Sequence, residues 1–81
     1  MTKREMGKRL KACGWRLMLE EEVGHLWLCE AEKIDVSNFY RPGDRDMFVY
    51  EADKASARIA LVRAVEAICA AEAEVILEEV V

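Results

Sequence analysis

The chain has 81 residues, 53% hydrophobic and 35% charged, a length that accommodates one domain (residues 1–81) whose single core yields little net stability, so association would help. Its net charge of −4 divides into a basic start, six Lys/Arg against Glu5 in residues 1–16, and an acidic body, six Lys/Arg against fifteen acids in residues 17–81. The composition excludes a disordered chain, and no uncharged run approaches the roughly 18 apolar residues of a membrane span, so no membrane partner is expected.

The basic start has no apolar stretch behind it, since only Ala12-Cys13-Gly14-Trp15 separate Lys11 from Arg16, and a signal peptide is not expected. Thr2 and Glu5 stand in the relation of a capping box, and Gly14 sits where a left-handed C-cap would end a helix over about 3–13. Met6, Leu10 and Cys13 make its buried stripe. Lys3, Arg4, Lys8, Arg9 and Lys11 are left to water.

Strands are predicted over about 15–21 and 25–33, joined as a hairpin. A three-residue loop, Glu22-Val23-Gly24, sets Trp15 opposite Ala31, Leu17 opposite Cys29, Leu19 opposite Trp27 and Arg16 opposite Glu30, whereas a loop at Val23-Gly24 would bring Glu30 and Glu32 against Leu17 and Trp15. The three-residue loop is preferred because it keeps carboxylates out of the core and gives Gly24 the left-handed position. On the other face this register gathers Met18, Leu26 and Leu28. A sheet apolar on both faces needs cover on both, so either the helices take opposite faces or a second subunit covers one.

Residues 34–46 lack periodicity and form the longest loop, with Pro42-Gly43 suited to a type II turn. A loop of that length displays Phe39, Tyr40, Arg41 and Arg45 as a candidate site. A third strand follows over about 47–52, with Met47 and Val49 on one side and Phe48 and Tyr50 on the other. Asp53 then caps a final helix over about 53–78. Leu61, Val62, Val65, Ile68, Cys69 and Ile76 fall in one arc of that helix, Ile59 at its margin. Ala60, Ala64, Ala67, Ala70 and Ala71 leave the back small, and Ala60, Ala64, Ala67 and Ala71 join Met18, Leu26 and Leu28 as candidate partner surfaces. High helix propensity accounts for the alanines equally well.

Motifs for chemistry are scarce. His25 is the one histidine, which rules out a Ser/His/Asp triad or a multi-histidine metal site within one chain. Cys13, Cys29 and Cys69 are widely spaced with no CxxC, and read as buried thiols in a reducing cytoplasm. Glu20-Glu21-Glu22 and Glu78-Glu79 make no enclosed acid/base pair, and Asp35, Asp44 and Asp46 lack EF-hand spacing. No catalytic residue, metal or cofactor is expected, and the chain reads as a non-enzyme.

Two resemblances bear on function. The order helix, three strands, helix resembles a double-stranded-RNA-binding domain, with Gly24-His25 roughly at that family's minor-groove loop and Lys54, Ala55 and Arg58 near its phosphate-binding lysines. The loop has no proline, one lysine stands for a basic cluster, and Glu20 to Glu22 would face the duplex, so nucleic acid ranks below protein as a partner. Gly14-Trp15-Arg16-Leu17, Leu26-Trp27-Leu28 and the alanine-rich Asp53 to Ala70 resemble small phage and prophage proteins of the phage ABA sandwich type, over most of the chain. That resemblance implies a phage or prophage setting and names no activity. The expected architecture is α+β, α-β-β-β-α, with a three-stranded antiparallel sheet and the last helix across the Trp15/Leu17/Leu19 face. The expected function is protein binding by a small cytoplasmic accessory protein, a homodimer or a binder of a host protein. One variant of this reading is an acidic inhibitor of a host nucleic-acid-binding protein.

Overall fold

The computed structural model describes residues 1–34 and 46–80, with side chains through residue 74. The elements are α1 (Lys3–Ala12), β1 (Trp15–Val23), β2 (Leu26–Lys33), β3 (Asp46–Glu51) and α2 (Lys54–Val80), with the three strands antiparallel in the order β1-β2-β3. This is the α-β-β-β-α arrangement that the helix and strand signals lead one to expect.

Local chemistry sets the helix ends. Thr2 Oγ1 accepts the Glu5 N–H at 3.1 Å, satisfying a donor that the first turn of α1 leaves free, while the Glu5 carboxylate takes the Thr2 hydroxyl. At the other end Cys13 and Gly14 donate their N–H groups to the Leu10 and Lys11 carbonyls, both at 3.0 Å, and Gly14 turns the chain at φ 79°. Its carbonyl then accepts the Ile34 N–H at 2.8 Å, which ties the end of β2 to the helix exit. Asp53 caps α2 through the Ser56 N–H at 2.8 Å, and that backbone bond is the main cause holding its carboxyl below the ordinary value.

The hairpin differs from the expected one. Val23 pairs with Leu26, so the loop is the two residues Gly24-His25, with φ positive (62°) at Gly24 and not at His25, the pattern of a type II′ turn. Next to the turn, Glu22 faces Trp27, Glu21 faces Leu28 and Glu20 faces Cys29. A bulge between Leu17 and Leu19 then sets both Met18 and Leu19 against Glu30, after which Leu17 meets Ala31, Arg16 meets Glu32 and Trp15 meets Lys33. The extra residue reverses the alternation of β1. Leu19, expected inside opposite Trp27, lies on the outer face, and Glu20 takes the inward place.

Both helices pack on one face of the sheet, α1 against β1 and α2, and α2 over β2 and β3. The core between them is Met6, Leu10, Trp15, Cys29, Ala31, Ala57, Leu61, Val62 and Val65, with Cys13, Leu17, Trp27, Met47 and Val49 packed at its margin. Each large apolar side chain buried there contributes about 1.5–3 kcal/mol, enough for a small fold and little more. Leu19 is no part of the face that α2 crosses. The buried stripe of α2 also takes in Ala57, while the side chain of Ile76 lies outside the described residues.

Candidate interaction surface

Cross-strand pairing arranges the outer face of the sheet in four rows. Val23 stands beside Leu26; Glu21, Leu28 and Tyr50 form the second row; Leu19, with the bulged Met18, joins Glu30 and Phe48 in the third; Arg16, Glu32 and Asp46 form the fourth. Met18, Val23, Leu26, Phe48 and Tyr50 are each between 42% and 60% exposed. The Phe48 and Tyr50 rings meet edge to face, with centroids 6.0 Å apart, which fixes the aromatic edge of the surface. Scattered surface hydrophobics are ordinary, but a set gathered on one sheet face that no described element covers is not.

The charges on this face are one-sided. Arg16 is the single cation in the four rows and it pairs with Glu32. Among the described residues Glu21, Glu30 and Asp46 make no ion pair or side-chain hydrogen bond, and Glu30 lies on the central strand between Leu19 and Phe48.

The inner face carries a second polar arrangement. Glu20, brought inward by the bulge, accepts two hydrogen bonds from Arg58 at 2.7 and 2.8 Å, with Lys54 Nζ at 3.6 Å and the Cys29 thiol at 3.9 Å. The Arg58 hydrogen bond holds the Glu20 carboxyl below its ordinary value, and burial pushes the Cys29 thiol up, with the Glu20 charge adding to it. An ionised carboxylate clamped on both oxygens and a protonated buried thiol are poor proton-transfer groups and nucleophiles. Lys54 also lies 5.0 Å from the Trp27 ring centroid. The cluster fastens α2 to the hairpin.

Ala60, Ala64, Ala67 and Ala71 share one side of α2, half-buried at Ala60 and Ala64 and exposed at Ala67 and Ala71. Phe39, Tyr40, Arg41 and Arg45 lie outside the described residues. His25 is exposed in the hairpin turn. Cys13 and Cys69 adjoin where α1 meets α2, and partial burial, followed by the Cys69 thiol, pushes Cys13 up to about 11. Among the described residues no group of three or more His, Cys, Asp or Glu is placed to hold a metal ion, and no helix is long and apolar enough to cross a membrane.

The structure thus brings Leu26 and Leu28 together on the outer face, with Met18 at the bulge on its β1 side. It adds Leu19, Val23, Phe48 and Tyr50. The alternation of residues 47–50 already put Phe48 and Tyr50 on one side, but nothing local marked Leu19 as outward. Compared with protein-family models, with curated proteins and with solved structures, the chain matches none.

Proposed function

We propose that this chain is a non-enzymatic interaction protein that works through the open outer face of its sheet. The observation that carries the reading is the placement of both helices on the opposite face, leaving Met18, Val23, Leu26, Phe48 and Tyr50 exposed together. A small core gains from having such a surface covered, by a second copy or by another protein. The cytoplasmic setting rests on the odd number of widely spaced thiols. The phage or prophage setting rests on the resemblance carried by residues 14–17, 26–28 and 53–70.

Binding to double-stranded RNA has less support, because Lys54 and Arg58, which stand near that family's phosphate-binding positions, both engage Glu20. The acidic-inhibitor reading gains from the unpaired carboxylates of the outer face. A decisive test compares the wild type with the double variant Leu26→Ser/Phe48→Ser in sedimentation and in capture from a host extract. The variant is expected to keep its thermal transition and lose whatever association the wild type shows. Association that survives both substitutions overturns the reading.

A further inference from the structure

The outer face combines two chemistries that constrain its occupant. Among the described residues its apolar rows are flanked and interrupted by Glu21, Glu30, Glu32 and Asp46, against one guanidinium, Arg16, already paired with Glu32. A second copy stacked face to face would bring eight carboxylates against two arginines, with Glu30 of each copy enclosed between apolar side chains. Like charges enclosed without counter-charge are strongly unfavourable. An apolar segment bordered by lysine or arginine meets the same face with both chemistries satisfied.

Dimensions narrow the choice further. Two strand spacings separate β1 from β3, about 10 Å, which is the width of one α-helix. β2, with 8 residues, offers a length of about 26 Å, matched by a helix of about 17–18 residues.

We infer that the outer face of the sheet is a docking site for a cationic amphipathic helix of a partner protein, its apolar side on Leu26, Leu28 and Phe48 and its lysines or arginines on Glu21 and Glu30. This rests on the outer face being the working surface, as proposed above. Salt weakens the docking, because part of the recognition is between exposed charges.

The test uses the full chain and a synthetic helical peptide of about 18 residues, leucine on one side and lysine on the other, with a leucine/glutamate peptide as its counterpart. Titration calorimetry is expected to show binding of the lysine peptide and none of the glutamate peptide. Glu30→Lys and Phe48→Ser should each weaken it by about tenfold or more. Glu74→Lys, the same charge change on the exposed side of α2, should leave it within about twofold of wild type. Equal losses for Glu30→Lys and Glu74→Lys overturn the inference by reducing the attraction to net charge. A wild-type dimer that Phe48→Ser dissociates also overturns it, in favour of a second copy on the same face, and leaves the proposed function standing. If Phe48→Ser changes neither peptide binding nor sedimentation, the docking site and the proposed function fall together.

Discussion

Arg58 on α2 donates two hydrogen bonds to the Glu20 carboxylate on β1 and a third, at 3.2 Å, to the carbonyl of Met1. One guanidinium thereby joins the start of the chain, the first strand and the last helix. Glu20→Ala leaves Arg58, 14% exposed, without its counter-charge, and should cost about 2 kcal/mol in denaturant unfolding. Arg58→Met in the Glu20→Ala background should cost less than the two single losses added, because the second change removes a group the first has stranded.

The same contact makes stability depend on acid. Glu20 and Asp53 both have folded-state values below their ordinary ones, so the unfolded chain binds protons first as the pH falls. Their contributions are fully present above the ordinary carboxylate range, about pH 4–4.5, and are lost as pH falls through the folded values. Thermal melts between pH 7 and pH 2.5 should therefore show a decline beginning near pH 5, and Glu20→Gln should flatten it.

Gly7 lies inside α1, and a Cβ built there meets nothing within 4 Å. Gly7→Ala should raise stability by about 1 kcal/mol, a Tm gain of roughly 5 °C, since only backbone freedom in the unfolded chain is removed. A melt unchanged or lowered by this substitution would mean that the helix depends on the gap.

Met18 is the extra residue of the β1 bulge. Its deletion leaves Leu17 opposite Ala31, Leu19 opposite Glu30 and Glu20 opposite Cys29, all on their present faces. Deletion of Glu21, by contrast, forces either the turn or the Glu20–Arg58 contact out of register. The Met18 deletion is expected to unfold cooperatively with the smaller loss of Tm, and the reverse order would contradict the bulge.

Thr2, Gly14, Gly24 and Asp53 announce their elements locally, which is why the order of helices and strands is legible in the chain. Register is harder. Gly24 satisfies a left-handed position in a three-residue loop and in a two-residue turn alike, so turn chemistry alone does not separate them. The alternation Trp15, Leu17, Leu19 runs smoothly through the bulge, and leucine suits either side of a sheet that is apolar on both. Keeping carboxylates out of the interior also favours the other register, yet Glu20 does face inward. What permits it is Arg58, 38 residues away in the chain and on another element. No local pattern carries that pairing. Of the outer face, Leu26 and Leu28 were readable from alternation, while its full extent depended on the bulge and on where the helices settle.

With both helices on one side, core-facing and outward-facing residues alternate along the three strands, except at the bulge, where Met18 and Leu19 both lie on the outer face. Leu28 can change without touching Cys29, and Phe48 without touching Met47 or Val49. The outer rows are therefore free to vary at nearly constant stability. A lineage carrying this scaffold could remodel that face through a few surface substitutions, with the interior retained throughout.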